Sequence, residues 1–153
     1  MQTEPFVYVT YIASTPEKVW QALTDMEFTR QYWEADVVAD LKPGGAWELA
    51  HPVTHDHVMV RGEVRESAPP SRLVMSWTAL QDPDDPPSLV SFDVEPVAEG
   101  MVRLRVEHAQ LTAGSMTNAN VRQGWPRVLC SLKSFLETGT ALPVWAGFDP
   151  TAR

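Results

Sequence analysis

Met116 to Glu137 reads MTNANVRQGWPRVLCSLKSFLE. Its large apolar residues fall at Val121, Trp125, Val128, Leu129, Leu132, Phe135 and Leu136. Steps of three and four stack such residues on one side of an α-helix, so this stretch predicts one long amphipathic helix. Gly139 supplies a stop, because glycine takes up the left-handed conformation that commonly ends a helix. Pro126 lies inside the stripe. It has no N–H to donate, which predicts a kink or a restart at Trp125. No other segment carries so long an apolar stripe at helical period.

Most of what precedes it alternates instead. Phe6 to Ala13, FVYVTYIA, is rich in β-branched and aromatic residues and predicts a first strand. Ser14-Thr15-Pro16-Glu17 then opens a helix, with a capping hydroxyl, proline at the first position and an acid in the first turn. Val19, Trp20 and Leu23 form its apolar face, with Met26 at its end. Asp25 to Trp33 predicts a second short helix. Further strands follow at Val37–Ala39, Ala46–His51, Val58–Glu66, Arg72–Thr78, Leu89–Glu95 and Met101–His108. Turns between them fall at Lys42–Gly45, Pro52–His57, Ala68–Ser71 and Glu99–Gly100. The stretch QDPDDPP, Gln81 to Pro87, is an acidic loop whose prolines cannot continue a ladder.

Alternation also assigns the faces. Trp47 and Leu49, then Val58, Val60 and Val64, then Leu73, Met75 and Trp77 point inward. So do Val90, Phe92 and Val94, and Val102, Leu104 and Val106. The intervening Asp93, Glu95, Arg103 and Arg105 would meet as opposite charges on the solvent face. One apolar sheet face and one long helix predict an α+β fold: a seven-stranded curved antiparallel sheet wrapped around the C-terminal helix, with two short helices between strands one and two. Residues 1–140 form a single domain and 141–153 an irregular tail. Trp145 and Phe148 in that tail either pack on the body or meet a second subunit, so a homodimer stays open.

The chain has 153 residues, 44% of them apolar, and a formal net charge of -8. The charge argues against a nucleic-acid binder, which needs a basic face, and against docking to an anionic membrane. Cys130 is the only cysteine. No intrachain disulfide can form, and its place between Leu129 and Leu132 predicts a structural thiol. The N-terminus MQTEPFVYVTY has no basic-then-apolar signal, and no apolar stretch reaches spanning length. The expectation is a cytoplasmic protein.

Four segments carry a resemblance. They are IASTPEKVWQALTD at Ile12–Asp25, LKPGGAWEL at Leu41–Leu49, GEVRESAPPSRLVMSW at Gly62–Trp77 and GWPRVLCSLKSFLE at Gly124–Glu137. In this order they resemble the SRPBCC superfamily, also called START-like, with the helix-grip fold of the birch-pollen allergen. The likeness is greatest to the bacterial branch named after the activator of the heat-shock protein 90 ATPase. It covers roughly residues 6 to 138. It implies a cavity between sheet and helix that takes lipids, hormones, polyketides or other hydrophobic ligands, and in a few members a cyclase or hydrolase. It carries no shared catalytic motif. The eukaryotic activator has a separate N-terminal domain that engages the chaperone. This sequence starts at the first strand, so chaperone activation is not the expected role.

Candidate chemistry is sparse. HPVTHDHV places His51, His55 and His57 around Asp56, the residue types of a zinc or copper site. Parity along the flanking strands points His51 inward, at the cavity mouth, and His57 outward, so they do not share one metal; no metal and no cofactor is expected. Asp82, Asp84 and Asp85 lack the glycine-centred spacing of a calcium loop. Gly44-Gly45 has no following lysine or helix, so it is not a phosphate loop, and no Gly-x-Ser-x-Gly elbow occurs. His108 continues the inward face after Val106, as a polar anchor or a general base. Trp33, Trp47, Trp77 and Trp125 come from four elements and converge on one space. The expectation is therefore a non-catalytic domain that binds a small hydrophobic molecule. Trp33, Trp47, Trp77, Phe92 and Trp125 would form the apolar wall, and His108 the polar contact. The short helices near Trp20 to Trp33 would gate access. The alternatives are a cyclase- or hydrolase-type enzyme using His108 or His51, and a chaperone-associated or homodimeric interaction protein.

Overall fold

The computed structural model describes residues 1–148. Seven strands form one antiparallel sheet: β1 (Phe6–Ile12), β2 (Asp36–Ala39), β3 (Ala46–Ala50), β4 (Val58–Ala68), β5 (Arg72–Ala79), β6 (Ser88–Ala98) and β7 (Met101–Ala109). The helices are α1 (Pro16–Thr24), α2 (Met26–Tyr32) and α3 (Met116–Thr138). The strand order is β1-β7-β6-β5-β4-β3-β2, so chain neighbours are sheet neighbours from β2 to β7. Between β1 and β2 the chain crosses from one sheet edge to the other through α1 and α2. The sheet wraps α3: this is the helix-grip α+β architecture.

Local chemistry explains the helix ends. Thr15 caps α1, its Oγ1 accepting from Lys18 N at 3.2 Å, with Pro16 in the first turn. Asp25 caps α2 by accepting from Glu27 N at 2.9 Å. Ser115 Oγ accepts from Asn118 N at 3.0 Å at the start of α3. Gly139 ends it at φ 83°, donating its N–H to Phe135 O. The restart expected at Trp125 does not occur, and α3 runs unbroken through Pro126. Proline removes one donor, and the burial of Val121, Trp125, Val128, Leu129 and Leu132 on either side holds the helix together.

The charged outer face follows the expected register, and Arg103 meets Glu95 at 4.0 Å, while the other pair takes different partners. Asp93 lies opposite Arg105 and Glu95 opposite Arg103. Asp93, however, is held by Arg72 from β5 at 2.7 Å, while Arg105 turns to Glu107 on its own strand at 2.8 Å. Three register shifts interrupt the ladders, at Leu49/Ala50 between β3 and β4, at Val64/Glu66 between β4 and β5, and at Pro96/Ala98 between β6 and β7. The first leaves Met59 of β4 unpaired and brings it into the interior beside Val60, although simple parity places Met59 outside. β3 ends at Ala50, so parity no longer carries His51 inward. Gly62 marks another close approach: a Cβ there would collide with the carbonyl of Ser76 and the indole nitrogen of Trp47. That nitrogen donates to Ser76 O at 2.7 Å, across the space a larger residue would occupy.

One placement differs from the sequence reading, and the tail takes one of the two that it left open. Cys130 is exposed on the outer side of α3, where its Sγ meets the Tyr8 hydroxyl at 3.4 Å. One position beyond a buried leucine is enough, on a helix, to leave the core. The tail is irregular but not loose. Leu142 N donates to Ser131 Oγ at 3.1 Å, Arg127 reaches Val144 O and Ala146 O, and Val144 is buried. Trp145 Nε1 donates to Trp33 O at 3.1 Å. Thus Trp145 and Phe148 pack on the body. The last part of the tail, residues 149–153, lies outside the described residues.

Candidate functional site

Between α3 and the sheet is a hollow of about 270 Å³. Trp33, Trp77 and Trp125 line it, with Leu49, Met59 and Val60 below. α3 adds Met116, Val121, Gly124 and Val128. Trp145 and Phe148 from the tail form one side. The polar members are Gln81 and Asp82, from the β5–β6 loop, and Thr117 and Asn120, on the first turns of α3. Asp82 Oδ2 accepts from Thr117 N at 3.4 Å, tying that loop to the start of the helix.

Trp125 is the hub. Its ring centroid lies 5.4 Å from Trp33, 5.6 Å from Trp77 and 5.7 Å from Phe92. Tilted and edge-on contacts at these separations suit the ring quadrupoles and add about 0.5–1.5 kcal/mol per pair beyond area burial. Trp33 comes from the end of α2, Trp77 from β5 and Trp125 from α3, so the hollow exists only once three distant segments have met.

Of the six residues that the sequence nominates, Trp33, Trp77 and Trp125 line the hollow; Trp47, Phe92 and His108 do not. Trp47 stands behind Trp77 at 5.6 Å and is 1% exposed. Phe92 stands behind Trp125. His108 is completely buried. Its Nδ1 accepts from Trp125 Nε1 at 3.0 Å, and its Nε2 lies 2.7 Å from Ser88 Oγ. An indole N–H can only donate, so Nδ1 is the acceptor and Nε2 carries the proton. Ser88 in turn donates to Trp77 O at 3.4 Å. The chain of donors is complete and leaves the imidazole nothing free. Burial, and secondarily the charge of Arg122, push the His108 pKa down to about 3. At neutral pH it is an uncharged structural bridge.

The other histidines sit elsewhere. His51 is exposed and bonds locally to Thr54 at 3.1 Å, so it does not reach the mouth. His55 Nε2 donates to Asp36 Oδ2 at 2.7 Å. Arg30 clamps the same carboxylate with two bonds, 3.0 and 2.8 Å, and Val53 N adds a third donor at 3.1 Å. The guanidinium bonds hold the Asp36 carboxyl down at about 2, against the opposing effect of burial; His55 and Val53 add to the depression. Val53 and His55 both adopt positive φ, 69° and 55°. This buried acid thus pins a strained hairpin. Among the described residues, no group of three or more His, Cys, Asp or Glu is arranged to hold a metal ion. No helix among them is long and apolar enough to cross a membrane.

With this geometry in place, the comparisons decide the kinship. The family described as Activator of Hsp90 ATPase homolog 1-like protein matches residues 13–137. The chain belongs to that family. The matched span runs from the end of β1 through nearly all of α3 and includes most residues that line the hollow; the tail that walls one side is not within it. Similar solved structures include CalU16 from Micromonospora echinospora, 24% identical over 91% of this chain and 77% of that one, with a TM-score of 0.70. An HSP90 activator from Plasmodium falciparum is 23% identical over 86% and 95%, TM-score 0.72. The Aha1 dimer from Colwellia psychrerythraea is 20% identical over 90% and 98%, TM-score 0.73. No curated protein matches the chain. At these identities the structural likeness speaks for the fold alone.

Four features of the hollow escape the sequence reading: Met59, Asn120, Gly124 and the pair Trp145 and Phe148. Helical spacing offered a signal for two of them. Thr117, Asn120, Val121, Gly124, Trp125 and Val128 form one continuous face, in which the small and polar positions are easily passed over beside the large ones. Met59 needed the bulge, and the tail pair needed the tertiary fold.

Proposed function

We propose that the chain binds one small hydrophobic molecule in the hollow between the sheet and α3 and performs no chemistry on it. The observation that carries this reading is the unfilled space itself. Native interiors pack to crystal-like density and leave few voids larger than a water. Here, rings from α2, β5, α3 and the tail surround about 270 Å³ that they do not fill. Apolar walls with a few polar groups are the usual make-up of a small-molecule site.

The catalytic alternative has less behind it. His108, the residue it needs, is sealed, neutral and fully bonded. Asp82 is the one titratable side chain among the described residues lining the hollow, and it already holds the α3 N-terminus. A single carboxylate without a second polar partner of fixed geometry makes no acid–base pair. Self-association, the state of the Colwellia relative, also has less support, because Trp145 and Phe148 turn to the wall of the hollow. One free cysteine and no disulfide fit a reducing compartment such as the cytoplasm.

Native mass spectrometry of freshly purified protein, with extraction of any bound compound, tests the reading. The expected result is a co-purifying apolar molecule, or a rise in Tm with members of a hydrophobic library through mass action. Absence of both rejects it.

A further inference from the structure

Asn120 sets itself apart from its neighbours on α3. Two residues earlier, Asn118 uses its whole amide: Nδ2 donates to Thr3 Oγ1 at 3.2 Å and to Thr112 O at 3.1 Å, and Oδ1 accepts from Arg122 at 2.6 Å. Asn120 lines the hollow, and its Oδ1 is buried without a hydrogen-bond partner. Among the described residues the other such atom is Ser67 Oγ, on β4, and Ser67 does not line the hollow. Burying an unpaired polar group is unfavourable, and native structures contain few. A leucine at this position would extend the apolar stripe at no such cost. An amide oxygen that stays unpaired beside an apolar void is explained by a donor that the protein does not itself provide.

We infer that Asn120 is the polar anchor of the hollow, and that its ligand is a neutral aromatic of about two fused rings carrying a hydroxyl group. This rests on the binding reading above. Three observations set the class. A cavity of about 150 Å³ takes one benzene ring, so about 270 Å³ suits two fused rings. The walls at Trp33, Trp77 and Trp125 are indoles, which favour a flat π-surface. No lysine or arginine stands among the described lining residues, and Asp82 is their one charged group. An anionic head group would meet a carboxylate and no cation. A hydroxyl both donates and accepts, so it satisfies the Asn120 amide whichever of its two ends faces inward.

Calorimetric titration with 2-naphthol, naphthalene and 2-naphthoate tests the assignment on the parent and on Asn120→Leu. The parent is expected to bind 2-naphthol about tenfold more tightly than naphthalene, the gain of about one hydrogen bond to a buried, otherwise unpaired group. 2-Naphthoate should bind more weakly than either. In Asn120→Leu the naphthol advantage should fall to about one. Asn120→Ala repeats the comparison with less added bulk and serves if the leucine variant does not fold. Equal binding of naphthol and naphthalene by the parent, or an advantage that survives both substitutions, overturns the anchor and leaves the binding site standing. Tighter binding of the naphthoate overturns the neutral class. If none of the three compounds binds the parent, the two-ring class and the inference fall, while the reading beneath it falls only if the co-purification and library tests fail as well.

Discussion

Around His108, an indole, an imidazole and a serine close on one another until every polar atom is matched and no surface remains. Around Asn120, on the same helix face as Trp125, rings of the same kind leave a space and an oxygen with nothing to bond. Trp77 and Trp125 belong to both regions: they are the partition between a finished core and an unfinished one. Apolar content does not separate the two. The state of the buried polar atoms does. A histidine bonded on both nitrogens marks structure, and an amide oxygen buried without a donor marks a vacancy for a partner.

This contrast can be broken most forcefully on its filled side. Trp47→Ala removes a fully buried indole and the bond to Ser76 O. Loss of about 3–5 kcal/mol is expected in urea denaturation, the range of large-to-small aromatic core substitutions. A loss below about 1 kcal/mol would mean that the region behind Trp77 is as loosely packed as the hollow.

A smaller effect is expected at the bridge. His108→Gln keeps an acceptor and a donor but adds a second amide hydrogen with no partner in this sealed site, and leaving one buried group unpaired costs about 1–3 kcal/mol. Its pH dependence is more telling. The folded pKa is held near 3, whereas an unfolded histidine titrates at about 6.5. Between these values the unfolded chain binds a proton that the folded chain refuses, so stability falls as pH drops below 6.5. The limit is about 1.4 kcal/mol per pH unit. Asp36 acts in a lower window. Its folded carboxyl titrates at about 2 against an ordinary 3.8, so its stabilisation is complete above 3.8 and disappears only as pH approaches 2. Glu137, whose carboxyl Lys133 and the Ala13 N–H hold below its ordinary 4.5, acts only near that value and lower. Denaturation midpoints compared between pH 6.5 and 5.5 therefore isolate His108. The parent should lose stability across that interval more steeply than the glutamine variant; parallel curves would contradict the sealed, neutral imidazole.

The smallest effect lies on the hollow side. Gly124 sits mid-helix, where alanine is favoured by up to about 1 kcal/mol. A Cβ there would stand 3.8 Å from the Trp145 ring, an ordinary contact. Gly124→Ala should raise stability by about that amount and weaken binding of a two-ring ligand by narrowing the space. A destabilised variant would show that the tail presses on α3 more tightly than its geometry indicates.

The fold was largely legible because its signals are local and periodic. Helical spacing from Val121 to Leu136, a capping hydroxyl before Pro16, and strict alternation on β6 and β7 each follow from a repeat of 3.6 or 2 residues. The site was legible only in part. Trp33, Trp77 and Trp125 could be named as inward rings, but nothing in the letters tells a ring that lines a void from one that fills it, as Trp47 and Phe92 do. His51 failed for a definable reason: parity counts residues along a ladder, and β3 ends at Ala50, one residue short of it. Asn120 went unnoticed because an unpaired atom is a relation among distant groups.

Residues 140–148 bear on what shapes the chamber of this protein. The span matched by the family ends at residue 137, yet Trp145 and Phe148 close a flank of the chamber. Trimming a clone at that span's last residue would yield a vessel with one side missing. The shape of this protein's chamber can accordingly be rewritten in an appendage, without touching the scaffold that makes it fold.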